Sequence, residues 1–246
     1  MLGVVHQASL CVPAVPVQHN ISSLKREPTH ATMYELYYAP TTASLSVHWV
    51  LIHLEQELGV AHSTHTVDFS KSEQKSDSYL AINPKGRVPT LLTSDNGALS
   101  ESSAILLHLA ERHPNAHLAP AEGARGKYFE TMMFLANSLL PALRDKIYAG
   151  KDGAGGSAAE AVIDLSETKL RQTWDLLNDQ LEGQEYLLGD EVSVADFLMV
   201  SVTGWMDWIE EEACERANVR RVVRKMKERK DWLEVLKREE EAKAAM

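Results

Sequence analysis

The feature that most constrains the fold of this 246-residue chain is a change of hydrophobic pattern near residue 114. Before it, short aromatic or β-branched segments alternate with helical ones, which predicts a mixed α/β unit. After it, apolar residues recur every three or four positions, as in amphipathic helices. The pattern predicts an α/β domain over 33–113, a linker over 114–124 and an all-helical domain over 125–246.

The α/β part has a recognisable order of elements. A strand over 34–38, a helix over 45–58 and a strand over 62–69 form one βαβ unit, whose strands run parallel because a helix separates them. A third strand over 88–92 turns at Asn96-Gly97 into an antiparallel fourth over 98–100. A closing helix then begins with Ser100 or Ser102 as its cap.

The second part is predicted to contain only helices. The first spans Tyr128 to Ile147 with a kink at Pro141, because proline removes a helical hydrogen bond. Others are predicted from Val162 to Leu181 and from Val194 to about Ile209. The charged tail from Glu239 onward is expected to fray.

Composition excludes several classes of protein. The formal net charge of −10 disfavours binding to a nucleic-acid backbone, and the basic run 220–230 is interpreted as a solvated helix face. Two cysteines form neither a disulfide framework nor a zinc site, and no apolar run approaches the ~20 residues of a membrane span. We therefore expect a cytoplasmic protein without a metal. Residues 1–32 are expected to be a flexible extension, with an organelle-targeting peptide as the alternative.

Two places in the α/β part are suited to a ligand. Proline at a strand entry, such as Pro89, can adopt a cis bond that turns the backbone of Val88 outward, although a trans bond is the commoner form. Glu101 and Ser102 stand where a strand meets a helix N-terminus. Free amides there suit a carboxylate, and Glu101 suits an ammonium, so an amino-acid head group would fit. Simple capping of the helix is the alternative.

These segments resemble a known family. The run 83–91 (Asn-Pro-Lys-Gly-Arg-Val-Pro-Thr-Leu), followed by 99–105 (Leu-Ser-Glu-Ser-Ser-Ala-Ile), is similar to the N-terminal signature of cytosolic glutathione transferases. The run 186–196 resembles the capping motif of that family's helical domain, with Ser193 and Asp196 at capping-box spacing. The resemblance implies the glutathione transferase fold, in which a thioredoxin-like α/β domain precedes an all-α domain.

The resemblance also implies a glutathione site. Val88 before a cis Pro89 would pair with the cysteinyl unit, Glu101 and Ser102 would hold the γ-glutamyl head, and Lys85 and Asn83 would serve the glycyl end or its loop. Glutathione would be a co-substrate rather than a resident cofactor, and the chain would form a homodimer.

A glutathione transferase must also ionise the thiol. Lowering its pKa by about two units needs ~2.7 kcal/mol, roughly what one charge-assisted hydrogen bond supplies. The donor is expected after the first strand, with Ser44 as first choice, then Thr41 and Thr42, and Ser46 last; Ser44 as a helix cap is the alternative. Ala43 stands where the similar beta class carries a cysteine, which disfavours glutaredoxin-like disulfide exchange.

The electrophile pocket is expected between the two domains. Family geometry would line it with Phe134, Asn137, Ser138 and Trp205. Three functions remain open on the sequence: conjugation of glutathione to a small apolar electrophile, glutathione-dependent cis-trans isomerisation by reversible thiol addition, and ligand binding without catalysis.

Overall fold

The predicted order of elements in the α/β part is confirmed. The computed structural model describes residues 34–151 and 155–246, so the predicted extension over 1–32 lies outside the described residues. The elements of the first part are β1 (Tyr34–Tyr38), α1 (Leu45–Leu58), β2 (His62–Thr66), α2 (Asp77–Ile82), β3 (Thr90–Thr93), β4 (Gly97–Ser100) and α3 (Ser102–Arg112).

One mixed sheet in the order β2-β1-β3-β4 organises this part of the described chain. β1 is parallel to β2 and antiparallel to β3, with Tyr37 opposite Thr90. Thr90 in turn lies opposite Ser100 of β4. The end of β1, the start of β3 and the end of β4 therefore meet at one edge of the sheet.

The predicted serine cap of α3 is wrong. The cap position is occupied by Glu101, whose φ is +75°, and its side chain makes no capping hydrogen bond. Ser100 ends β4, and Ser102 is already the first residue of the helix. The chain turns from strand to helix at a residue in an unusual conformation, so the first helical amides have no side-chain acceptor from the cap.

The second part is helical, as predicted. Its α-helices are α4 (Arg125–Phe134), α5 (Leu140–Tyr148), α6 (Ser157–Gln180), α7 (Val194–Val202), α8 (Asp207–Cys214), α9 (Ala217–Lys227) and α10 (Lys230–Ala245). α9 buries Val219, Val222, Val223 and Met226 and leaves its basic side chains on the outer face, as the sequence predicted. Among the helices of the described residues, none is long and apolar enough to cross a bilayer.

The irregularity expected at Pro141 takes the form of a π-helical segment over Leu135–Leu139, between α4 and α5. Because proline has no N–H, the carbonyl four residues before it loses its α-helical donor, and a wider turn accommodates that loss. The linker expected over 114–124 holds two short 3₁₀ turns. Within it Leu118 is buried, and its carbonyl accepts the amide of Val194.

The single helix predicted from Val194 to about Ile209 is wrong, because α7 ends at Val202 and α8 begins at Asp207. Gly204 lies in the turn between them. A Cβ on this residue would lie 3.0 Å from the ring of Trp232 and 3.2 Å from Leu45. The turn therefore fits into a narrow space beside α1 and α10 that a larger residue would not enter.

The prediction of a frayed tail is also wrong. α10 continues to Ala245, and the Glu239 side chain is only 1% exposed. The capping box of Ser193 and Asp196 at the start of α7 is confirmed.

The two parts share one hydrophobic core, in which α1 is the central helix. All ten residues from Leu45 to Leu54 are buried. The Trp49 ring lies 4.5 Å from that of Phe197 in α7 and 4.6 Å from that of Trp232 in α10. Helices of the second part therefore hold α1, and with it the loop that precedes α1, in position.

Candidate functional site

The loop after β1 contains three hydroxyl side chains, and two of them are already bonded within the loop. Ser44 is fully buried, and its hydroxyl donates to the carbonyl of Ala39 at 2.8 Å. Thr42 donates to the same carbonyl at 2.7 Å and lies 2.8 Å from the Ser44 oxygen. Ser44 occupies the cap position of α1 but makes no side-chain capping bond. These two hydroxyls close the loop onto Ala39.

Thr41 differs from both. Its side chain is half-buried, and within the described residues its hydroxyl has no hydrogen-bond partner. Its φ of +55° is left-handed, a conformation that a β-branched residue adopts at a cost of about 1–3 kcal/mol. Its amide donates to a carboxylate oxygen of Glu239 at 2.7 Å. Of the three hydroxyls, Thr41 therefore has the one still available to a ligand.

Glu239 comes from α10, in the other part of the molecule. Its second oxygen accepts from Nδ1 of His48 at 2.7 Å, and both side chains are 1% exposed. The Tyr38 ring packs 4.6 Å from that of His48. Burial, with the nearby charge of Glu239, raises the pKa of Tyr38 to about 12. The acid therefore lies under the β1–α1 loop.

Sequence reasoning missed Glu239, although a signal was present. Trp232, Val235 and Glu239 follow one another at spacings of three and four, and all three are buried. This spacing places the acid on the apolar face of the helix. An acid on such a face needs a buried partner, and His48 on the apolar helix α1 was available.

The backbone of Val88 is open at the same edge of the sheet. The Val88–Pro89 bond is cis, as the resemblance implied. Val88 is half-buried, and neither its amide nor its carbonyl has a hydrogen-bond partner in the part of the chain that the structure describes. An extended ligand could therefore pair with both groups, as a neighbouring strand would.

Asn83 supports the loop before Val88. Its amide donates to the carbonyl of Arg87 and to the Thr90 hydroxyl, both at 2.8 Å, while its oxygen accepts the amide of Lys85 at 3.1 Å. Asn83 is buried, so it shapes the loop from within. Gly86 has a φ of +58°, and a Cβ there would lie 2.8 Å from a backbone carbonyl of Gln74. The structure of this loop therefore accounts for both residues: Asn83 bonds the loop from within, and a side chain at position 86 would clash with the Gln74 carbonyl.

Glu101 and Ser102 form the third element of the edge. The carboxylate of Glu101 is exposed and pairs with the Lys85 ammonium at 2.8 Å. Ser102 is buried in the first turn of α3. The amides of this turn have no acceptor inside the helix, and they create a partial positive charge. Hydrogen-bond donors for a ligand carboxylate therefore lie next to the exposed Glu101 carboxylate, which can attract a ligand ammonium.

Three of the predicted pocket residues, Phe134, Asn137 and Ser138, line one cavity of about 340 Å³. Its other lining residues belong to α5 and α6: Pro141, Ala142, Asp145, Lys169, Gln172, Thr173 and Leu176. The sequence interpretation placed this pocket between the two domains, whereas the cavity lies between helices of the second.

Trp205 does not line that cavity. It is half-buried, and its indole nitrogen is buried without a hydrogen-bond partner among the described residues. It follows Gly204, whose Cα packs near Leu45, the first residue of α1. Of the predicted pocket residues, Trp205 is therefore the one whose neighbour in the sequence, Gly204, packs against the first residue of α1.

The remaining candidate groups for catalysis are metal ligands and the Cys214 thiol. Within 34–151 and 155–246, no three His, Cys, Asp or Glu side chains are grouped so that they could hold a metal ion. Burial raises the pKa of the Cys214 thiol, which makes it a weak nucleophile. Cys214 lies in α8 and not at the sheet edge.

The chain matches two family models. Residues 44–112 match the glutathione S-transferase N-terminal domain, and residues 160–238 match the glutathione S-transferase C-terminal domain. The first match contains Val88, Glu101 and Ser102, and the second contains the capping box of α7.

Individual proteins agree with these models. Glutathione S-transferase F10 of Arabidopsis thaliana is 35% identical over 69% of this chain and 79% of its own length. Glutathione S-transferase 1 of Schizosaccharomyces pombe is 29% identical over 66% of this chain and 71% of its own. Among solved structures, a glutathione transferase homolog from Sulfitobacter with bound glutathione superposes with a TM-score of 0.75 at 26% identity, covering 85% of this chain and 99% of that one.

Fold, sheet edge and both domain matches therefore lead to one conclusion: this chain belongs to the glutathione S-transferase family of transferase enzymes.

Proposed function

We propose that this chain binds glutathione along the sheet edge and joins its thiolate to a small apolar electrophile. The observation that carries the proposal is the backbone of Val88, which has no partner among the described residues. The Thr41 hydroxyl, likewise without a partner in the described chain, and the N-terminus of α3 lie at the same edge of the sheet. The similar Sulfitobacter protein was solved with glutathione bound, which supports the same ligand here.

The dimensions of the edge suit a tripeptide. Tyr37, Thr90 and Ser100 lie opposite one another on three adjacent strands, so the edge spans about 10 Å. An extended tripeptide also spans about 10 Å. Glutathione can therefore reach from the first turn of α3 to the loop before α1 while its cysteinyl unit pairs with Val88.

The γ-glutamyl head would bind at Glu101 and Ser102. Its carboxylate would accept hydrogen bonds from the first amides of α3 and from the Ser102 hydroxyl. Its ammonium would face Glu101. Lys85 already pairs with Glu101, but both side chains are more than half exposed. Such surface pairs contribute only about 0–1 kcal/mol, so a ligand ammonium can share the carboxylate.

The thiol would receive its hydrogen bond from Thr41. The sequence favoured Ser44, but the Ser44 and Thr42 hydroxyls both already contact the Ala39 carbonyl and each other. A hydroxyl that donates to sulfur stabilises the thiolate and lowers its pKa. The thiolate is the nucleophile, and holding it beside the electrophile supplies much of the remaining rate enhancement.

The electrophile would contact Trp205, since Gly204 places this residue near the start of α1. The half-buried indole offers a large apolar surface. Trp205→Ala should then raise KM for an apolar aromatic electrophile, with little change in KM for glutathione. An equal rise in both constants would contradict this assignment.

The decisive experiment mixes the protein with glutathione and a panel of electrophiles that includes aryl halides and conjugated carbonyls. Conjugation gives products whose mass is the sum of the two reactants, or that sum less the leaving group. A changed double-bond geometry at unchanged mass would indicate isomerisation instead. Binding of glutathione without any product would indicate a non-catalytic protein.

Alanine variants locate the thiol donor. We expect Thr41→Ala to lower kcat about 10- to 100-fold, the equivalent of one hydrogen bond to a charged group, and to reduce the ultraviolet absorbance of bound thiolate. Thr41→Ser keeps the hydroxyl and should restore most of the signal. Thr42→Ala and Ser44→Ala are the matched controls. If thiolate absorbance survives in Thr41→Ala but is lost in Ser44→Ala, the donor is Ser44.

A cytoplasmic homodimer is part of this proposal. Phe129 and Met133 are more than two-fifths exposed and lie one turn apart on α4, so they form an apolar surface that a second copy could cover. Light scattering should give twice the mass of one chain, and Phe129→Asp should shift the protein toward monomer.

A further inference from the structure

We infer that Glu239 of α10 is a positioning residue that holds Thr41 for the thiol of glutathione. The inference rests on the proposed function and adds a residue that lies outside both domain matches. It would make the C-terminal helix part of the thiol site.

The Glu239 carboxylate lies in a buried environment. Glu239 is 1% exposed, so its carboxylate cannot be solvated by bulk water and needs hydrogen bonds from the protein. Each oxygen has one close donor: His48 Nδ1 on one, and the Thr41 amide on the other, both at 2.7 Å. Both contacts are short enough for charge-assisted bonds.

Thr41 has a left-handed backbone conformation. Left-handed backbone is unfavourable for a β-branched residue, so something must hold it. The internal hydrogen bonds of the loop converge on Ala39 and tie Thr42 and Ser44 to it. Within the described residues, the one hydrogen bond made by Thr41 is that from its amide to Glu239.

The groups that surround Glu239 on α1 and β1 are themselves packed in the core. His48 lies in the fully buried stretch of α1, and the Tyr38 ring packs against it. Arg238 precedes the acid on α10 but pairs outward with Glu55 and Glu234. The Glu239 carboxylate is therefore directed by buried groups on one side and is free to fix the Thr41 amide on the other.

The test compares Glu239→Met with Glu240→Met. Methionine keeps the approximate length of the side chain but has no carboxylate oxygen, so both the Thr41 amide and His48 Nδ1 lose their acceptor. Glu240 is the next residue of the same helix. It is exposed, and its one ion pair with a described residue is that with Lys243, so its variant should behave like wild type.

We expect Glu239→Met to lower kcat for conjugation about 10-fold and to reduce the absorbance of bound thiolate, with KM for glutathione changed less than about twofold. In a Thr41→Ala background, the same substitution should change kcat by less than about twofold, because the hydroxyl that Glu239 positions is already absent. A merely structural role would lower activity to the same extent in both backgrounds.

A readout independent of catalysis separates this inference from the proposed function. Hydrogen exchange of the Thr41 amide should accelerate at least about tenfold in Glu239→Met and stay unchanged in Glu240→Met. If exchange is unchanged, or if kcat falls equally with and without the Thr41 hydroxyl, the inference is overturned. If exchange accelerates but wild type forms no thiolate and no conjugate, the proposed function fails while the hold on Thr41 stands.

Discussion

Two acid–histidine contacts join α10 to α1, and they differ in what else they hold. Near the start of α10, Asp231 accepts from Trp49, His53 and Arg229 at 2.6–3.0 Å. Two turns later, Glu239 accepts from His48 and from the backbone of Thr41. The first cluster consists only of side chains, whereas the second includes the amide of a loop residue in a strained conformation.

The difference indicates a division of roles along one helix. The Asp231 cluster joins two helices whose positions are also determined by the packing of Trp49 against Trp232 and Phe197. The Glu239 cluster ends at the backbone amide of Thr41, a half-buried residue of the loop before α1. In addition, Nε2 of His48 is buried with no hydrogen-bond partner among the described residues. We therefore expect the first cluster to stabilise the fold and the second to serve the site.

The largest effect should come from Asp231→Ala. Removing the acid leaves the buried Trp49 and His53 donors without their acceptor and isolates the charge of Arg229. We expect the free energy of unfolding to fall by about 3–5 kcal/mol, as when one partner of a buried ion pair is removed. Urea denaturation of wild type and variant measures this difference in the free energy of unfolding.

Asp207→Ala is the matched control, because Asp207 is also an acid in the first turn of a helix but is exposed. It should cost less than about 1 kcal/mol. If Asp231→Ala leaves stability nearly intact but abolishes thiolate formation in the folded protein, the division of roles is reversed.

The second-largest effect is expected on lowering the pH, which should weaken the hydrogen bonds of the Asp231 cluster. Burial by itself would raise the pKa of Asp231, but hydrogen bonds from His53, Arg229 and Trp49 together hold it well below its usual range. Because the pKa is lower when folded, the stabilisation is present above about pH 4 and is lost as pH falls toward the folded-state pKa. The stability difference between wild type and Asp231→Asn should therefore shrink below about pH 4. A difference that is constant from about pH 3 to pH 6 would contradict this account.

The smallest effect on stability is expected at the other cluster. Thr41→Gly removes the cost of left-handed backbone, about 1–2 kcal/mol for an L-residue, and adds the entropic cost of glycine, about 0.5–1. The free energy of unfolding should rise by about 0–1.5 kcal/mol while thiolate formation falls with the loss of the hydroxyl. A loss of stability instead would show that the Thr41 side chain contributes packing that outweighs its strain.

Much of the fold was predictable because its signals are local. The apolar run of α1, the Asn96-Gly97 turn, and the capping box of Ser193 and Asp196 each specify an element within a few residues. The helix break at Gly204 was not predictable, because it depends on how closely the chain approaches Leu45 and Trp232, which are distant in sequence.

The candidate site divides in the same way. Val88, Pro89, Glu101 and Ser102 form short motifs, so the sequence could indicate them and their resemblance to the family. The choice among Ser44, Thr42 and Thr41 depends on which hydroxyl the loop uses for itself, and that follows from the position of the Ala39 carbonyl after folding.

The sequence by itself determined the order of strands and helices, the motifs that resemble the family's signature and the family, because neighbouring residues encode these through periodicity, turns and caps. Only the tertiary structure decided that the Thr41 hydroxyl has no partner among the described residues and that Glu239, almost 200 residues later, accepts its amide. Such a contact depends on two helices packing antiparallel in a shared core, and no local pattern records which buried acid will meet which backbone amide.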